Sequence, residues 1–393
     1  MKKKKKVLFN FIFLALCIGL TVYYVFRGED FSEVAEYIEH AKGPEWLVGI
    51  LLVFAFILSE SVIIFYLMGT LKEKPKLSHC CLYSFVGFFF SLVTPTASGG
   101  QPMQLVFMNK DKLSAHVSTI TLMIVTIAYK AVLVLLGLFV LIFRPAVELK
   151  LLRPAMPWVY LGLVLNVICV TFMLAVVWSP EIMKGLVQWF VGIMRRHLHK
   201  AGKQEKLERL EAKAIRYMDG YKETSVYVRR HKQVSLNVLG ITLVQRCLLF
   251  AVTYVVLRSF GIHSLGLADV IVLQGTISLA VDMLPLPGGL GISEHLFQLI
   301  FLPVCGAGVI TPAMIISRGL SFYAQLLISA VFTAAAYFLI FGRREKNDRI
   351  LYLYGKTYIH EPDFGDYGND VCTCGGVRSG NILSCSFGLF RYV

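Results

Sequence analysis

Seven ionisable side chains sit in or beside strongly apolar stretches of this chain: Glu60, Lys130, Arg246, Asp282, Glu294, His295 and Arg318. A charge in such a stretch is expensive, and it is tolerated where it faces a bundle interior, a partner of opposite sign or a water-filled cavity. Lys130, deep in its segment, together with Arg246, Glu294 and Arg318, are the candidate binding residues. Internal pairing or interfacial placement accounts for Glu60 and Asp282, a structural role for His295, and ordinary packing for Tyr129. Enzyme signatures are missing: there is no His-Glu-x-x-His, no P-loop and no G-x-S-x-G. The glycines of "PGGLGISE" lack the strand–turn–helix setting of a dinucleotide site. No catalytic residue, cofactor or metal centre is therefore expected. "CTC" at Cys372 to Cys374, with Cys385 beyond, lacks a second metal-binding pair.

Two stretches explain where such groups would gather. "YSFVGFFFSLVTPTASGGQPMQLVFM" (83–108) and "ADVIVLQGTISLAVDMLPLPGGLGISEHLFQLIFLP" (268–303) are each two short apolar arms around a Pro/Gly-Gly break. Each arm is too short to cross a bilayer comfortably, so each stretch reads as a re-entrant hairpin. A break inside the bilayer exposes backbone N–H and C=O groups that only protein or a water-lined cavity satisfies. The breaks are thus expected to line a cavity through Pro95, Gly99, Gly100, Gln101 and Pro102, and through Pro287, Gly288, Gly289 and Gly291. Pro102 suits the first turn of a returning helix. Gly288 and Gly289 permit a sharp turn, and Ser293 is the expected cap of the helix that follows. Two helix N-termini aimed at one cavity favour a phosphate group.

The whole chain supports this setting. It is 56% hydrophobic and only 16% charged over 393 residues, where a soluble domain carries about a quarter charged residues. Continuous apolar runs predict an all-α polytopic membrane protein rather than a β-barrel. Full spans are predicted near 7–26, 46–68, 117–143, 158–178, 235–260 and 312–341, six in all beside the two hairpins. The first reads as an uncleaved span, because its apolar core is long and no small-residue cleavage site precedes Gly28. The cysteines within apolar runs, Cys17, Cys169 and Cys247, read as small buried hydrophobes.

The net charge of +14 is distributed unevenly. With the N-terminus inside, the inner segments hold twenty-six Lys and Arg and the outer loops five. That bias predicts an N-in, C-in orientation and makes both broken regions return to the side they entered from. The two hairpins then dip from opposite faces, as in inverted repeats spanning roughly 40–180 and 230–341. Residues 181–232 form a basic, helix-prone segment whose first part suits the inner leaflet surface or a solvated connector. Residues 29–45 suit a short interfacial helix. One domain over 1–345 and a poorly ordered tail over 346–393 are expected.

"TPTASGGQPMQ" (94–104) and "LPLPGGLGISE" (284–294) resemble the paired signatures of the lysylphosphatidylglycerol synthase transmembrane family. Arg318 in "ISRGLSFY" and Lys130 in "AYKAVLVLLG" match that family in kind and order, and the resemblance covers roughly 5–345. The chain departs from it at Gln101 and Gln104, where many members carry an acid and a base. It also departs at Tyr129, where members often carry an acid. The resemblance implies a flippase-like domain of the bacterial plasma membrane that moves phosphatidylglycerol or lysyl-phosphatidylglycerol and protects against cationic antimicrobial peptides. Lys130, Arg246 and Arg318 would then attract the lipid phosphate. Glu294 would balance a cationic headgroup or pair with Arg318. Full-length members add a soluble aminoacyl-tRNA-dependent transferase domain, for which the roughly 50 residues after the last span leave no room. Two alternatives follow from the same resemblance. One is a phosphatidylglycerol lysyltransferase using lysyl-tRNA bound at Arg195–Lys232. The other is a membrane partner for a separate soluble synthase, held through 181–232.

Overall fold

The computed structural model describes residues 45–94, 97–143, 150–200, 204–285, 289 and 291–341. The chain divides into two units, Met1–Glu345 and Lys346–Val393, and every described residue belongs to the first. The predicted span at 7–26, nearly all of the segment 29–45 and the cysteine-containing tail lie outside the described residues. So do Pro95, Pro287 and Gly288.

Regular structure among the described residues is entirely helical. In chain order the helices are α1 (Glu45–Thr70), α2 (Leu77–Val93), α3 (Gly100–Lys110), α4 (Ala115–Phe143) and α5 (Met156–Trp178). There follow α6 (Pro180–Lys200), α7 (Gln204–Arg230), α8 (Lys232–Ser259), α9 (Leu267–Val281) and α10 (Ile292–Cys305). The last are α11 (Ile310–Arg318) and α12 (Gln325–Ala336), joined by a π-helical turn over Gly319–Ala324. Five stretches are long and apolar enough to cross a membrane: Trp46–Thr70, Ala115–Phe143, Lys150–Trp178, Lys232–Ser259 and Ile310–Ile340. They coincide with five of the six predicted spans. The shortest has 25 residues, about 37 Å of helix against the roughly 30 Å of a hydrocarbon core. Their outer faces keep Leu135, Ile142, Val164, Ile168, Val244, Val331 and Phe338 exposed, as lipid-facing surfaces require.

Each Pro/Gly-Gly stretch resolves into two short helices on either side of a break, α2 and α3 in the first and α9 and α10 in the second. Of these short helices, α2 and α9 pack most extensively against the long ones. Helix α8 packs along α1, α2 lies against α1 and α12, and α9 lies between α5, α4 and α8. The α5–α9 contact is close because Gly162 carries no side chain: a Cβ there would come within 2.7 Å of Ala280 Cα. Asn166, one turn on, donates to Gly162 O at 3.0 Å and Leu279 O at 3.4 Å. Small residues and interhelical hydrogen bonds replace the hydrophobic effect as the adhesive between spans.

The polar segment forms a helical hairpin, α6 and α7, and α7 closes the end of α5. A helix leaves its last four carbonyls without intrahelical partners. Tyr221 donates to Val176 O at 3.1 Å, Ser225 to Val177 O, and Arg229 to Trp178 O at 3.3 Å. Burial pushes the Tyr221 hydroxyl above the ordinary tyrosine range, so it stays protonated as a donor.

Candidate functional site

The two breaks meet at one cavity of about 420 Å³. From the first come Ala97, Ser98, Gln101 and Gln104; from the second, Asp282, Gly289 and Ser293. The long helices add Glu60 from α1, Lys130 from α4, Arg246 from α8 and Arg318 from α11. Lys130 and Arg246 sit near the middle of their spans. The remaining wall is apolar, with Phe56, Phe88, Leu92, Val125, Met173 and Phe322 among its residues. Charge and hydrocarbon surface thus share one chamber.

The backbone of the two breaks is held by different means. In the second, Gly289 and Gly291 have φ of +68° and +86°, a region that a side chain makes costly. Helix α10 is capped by Glu294, not by Ser293 as its sequence suggests. The Glu294 carboxylate accepts the Gly291 N–H at 2.6 Å and the Ser293 hydroxyl at 3.0 Å. An acid three positions into the helix reaches back more effectively than a serine whose own hydroxyl donates to that acid. In the first break the left-handed residue is Ala97, with φ of +54°. Gly99 and Gly100 serve close approach: a Cβ on Gly99 would lie 2.6 Å from Thr94 Cγ2, and one on Gly100 would lie 2.6 Å from the Gly87 carbonyl oxygen. Thr94 bridges the turn, accepting the Gly99 N–H at 2.9 Å and donating to Phe90 O at 2.5 Å. Pro102 lies in the first turn of α3, as expected.

The charged groups are paired selectively. Lys130 Nζ meets Asp282 Oδ2 at 2.5 Å and Met283 Sδ at 3.0 Å. Arg318 Nε meets Glu294 Oε1 at 2.7 Å and its guanidinium lies 4.9 Å from the Phe322 ring centroid. Asp282 pairs within the protein, one of the two placements its sequence setting allows, and it also lines the cavity. Glu60 accepts from Gln104 Nε2 at 2.8 Å, and Gln101 donates to Thr126. The glutamines that stand in place of charges at the first break are therefore hydrogen-bonded to the cavity wall. Arg246 differs from the other two cations. Its guanidinium lies 3.7 Å from the Tyr129 ring centroid and 5.0 Å from that of Phe56.

Tyr129 is more than the packing residue expected of it. Its hydroxyl donates to Asp282, its ring supports Arg246, and Lys130 lies 5.6 Å from its centroid. Its position immediately before the intramembrane lysine was the available signal. His295 is exposed and stays off the cavity. Of the residues proposed from sequence, Lys130, Arg246, Arg318, Gln101 and Gly289 come together at the cavity, and Glu294 joins through its pair with Arg318. Gly99, Gly100, Pro102 and Gly291 shape the breaks without lining it.

A bundle of apolar spans around a polar chamber built from interrupted helices defines a multi-pass membrane protein. Residues 7–329 match the family described as "Lysylphosphatidylglycerol synthase TM region", and the chain belongs to that family. A comparison with curated proteins finds no match to it.

Proposed function

We propose that this chain moves a phospholipid headgroup, that of phosphatidylglycerol or its lysyl ester, between the leaflets of the bacterial plasma membrane. The observation that carries this reading is the single cavity shared by both helix breaks and by the intramembrane charges. A headgroup crossing hydrocarbon unaided loses its hydration. A chamber with charged groups on one wall and apolar side chains on another accommodates a polar head and leaves its chains in an apolar setting. Lys130, Arg246, Arg318 and Glu294 supply the polar contacts in this reading. The breaks are re-entrant and dip from opposite faces, with both termini inside, and moving lysyl-phosphatidylglycerol outward would repel cationic peptides. Family membership supports the lipid class.

Reconstitution tests it. Purified protein in vesicles carrying headgroup-labelled phosphatidylglycerol is expected to give leaflet exchange, read by quenching of the outer leaflet. Exchange no faster than in protein-free vesicles sinks the proposal.

A further inference from the structure

The three intramembrane cations are not equivalent. Lys130 is neutralised by Asp282 at 2.5 Å and Arg318 by Glu294 at 2.7 Å. Among the described residues no carboxylate lies within 4.0 Å of Arg246, and its Nε is buried without a hydrogen-bond partner. Glu60 and Asp282, the carboxylates in electrostatic reach of Arg246, are held by Gln104 and by Lys130. Two aromatic rings support the guanidinium, but a cation–π contact offsets only part of the cost of removing it from water. A second orphan lies on the same cavity: the buried Gln274 Oε1 has no partner.

We infer that Arg246 is an anion subsite that takes the phosphate of a phosphodiester, while Gln274 Oε1, an acceptor on the same cavity, suits a hydroxyl of the same ligand. This rests on the lipid-translocation reading and divides its labour. A guanidinium offers a planar fork of donors that matches two phosphate oxygens, which an ammonium does not. The rings of Tyr129 and Phe56 fix the plane of that fork. The Lys130–Asp282 and Arg318–Glu294 pairs already satisfy themselves, so they tie the second break to α4 and α11, and a phosphate has to displace a carboxylate to reach either cation. At Arg246 it displaces none.

The experiment measures binding of three probes to the purified full chain: dihexanoyl-phosphatidylglycerol, glycerophosphoglycerol and inorganic phosphate. Variants are Arg246→Gln, Arg246→Lys and, as a control on the same helix away from the cavity, Arg258→Gln. Arg246→Gln is expected to weaken dihexanoyl-phosphatidylglycerol and glycerophosphoglycerol about tenfold or more, the loss expected for hydrogen bonds to a charged group. Arg246→Lys, which keeps the charge but loses the fork, is expected to fall between, and Arg258→Gln to match the parent. Arg246→Lys also decides the matter if Arg246→Gln does not fold. Equal affinity in the parent and both Arg246 variants overturns the subsite and leaves the translocation reading standing. Phosphate binding that depends on Arg246, without binding of either phosphodiester, keeps an anion site but removes the lipid as its source. No binding of any probe to the parent overturns the inference.

Discussion

Glu294 performs two tasks with one carboxylate. Oε2 caps α10 through the Gly291 N–H, and Oε1 holds Arg318. The tasks separate by substitution. Glu294→Gln keeps an oxygen for the Gly291 N–H but removes the charge that Arg318 needs; Glu294→Ala removes both. Breaking a largely buried pair from one side costs on the order of 3 kcal/mol, because the remaining charge is stranded. Losing the cap adds about 1 kcal/mol. Denaturation of the purified protein is therefore expected to rank Glu294→Ala below Glu294→Gln. The double variant Glu294→Gln/Arg318→Gln is expected to be less destabilised than the sum of its single changes, and strict additivity would show that the two side chains do not couple. The sequence disclosed that charges lie in apolar runs, and the family resemblance offered Arg318 as a partner for Glu294, but the partners of Lys130 and Arg246 were not legible. Lys130 and Asp282 are 152 positions apart, and only the folded bundle selects Asp282 for Lys130 and leaves Arg246 to aromatic rings. Tyr129 was misjudged for the same reason: its neighbours in space, Asp282 and Arg246, lie far along the chain.

At the scale of elements the sequence was more legible. Uninterrupted apolar runs set the five described spans, because a helix must be that long to satisfy its backbone across hydrocarbon. Proline and paired glycines located both interruptions. The second broken region even repeats a Gly-x-x-acid signal: Asp269 accepts the Gly266 N–H at 2.8 Å just as Glu294 accepts that of Gly291. The docking of α7 was not legible, since its polar, salt-bridge-like spacing reads equally well as a solvated connector. The structure gives it a job at the end of α5, where Tyr221 and Ser225 occupy carbonyls that a helix end leaves open. Replacing both, as Tyr221→Phe with Ser225→Ala, strands two buried acceptors at roughly 1–3 kcal/mol each. Hydrogen exchange is expected to rise in α7 and in the last turn of α5, while α9 and α10 keep their protection. Unchanged protection in α7 would mean that these bonds do not hold it.

Across the whole molecule the same order of elements occurs twice. A long helix, a short helix, a break, a short helix and a long helix run from α1 to α4, and again from α8 to α12. The charges follow that order: Glu60 and Arg246 lie near the middle of the first long helix of each set, while Lys130 and Arg318 follow their glycine breaks by about 30 positions. If translocation rocks one set against the other about the cavity, each set travels as a unit and contacts inside it stay closed. Two short hydroxyl pairs allow this to be tested. Ser61 and Ser84 join α1 to α2 with oxygens 3.0 Å apart. Thr253 and Ser317 join α8 to α11 at 2.8 Å. Short side chains in contact place their Cβ atoms near disulfide range. In a background with the nine native cysteines replaced, Ser61→Cys/Ser84→Cys and Thr253→Cys/Ser317→Cys are expected to exchange lipid equally well oxidised and reduced. Exchange that stops on oxidation and returns on reduction would place the moving joint inside a set, between the two helices that the disulfide ties, and would exclude rocking of two rigid halves.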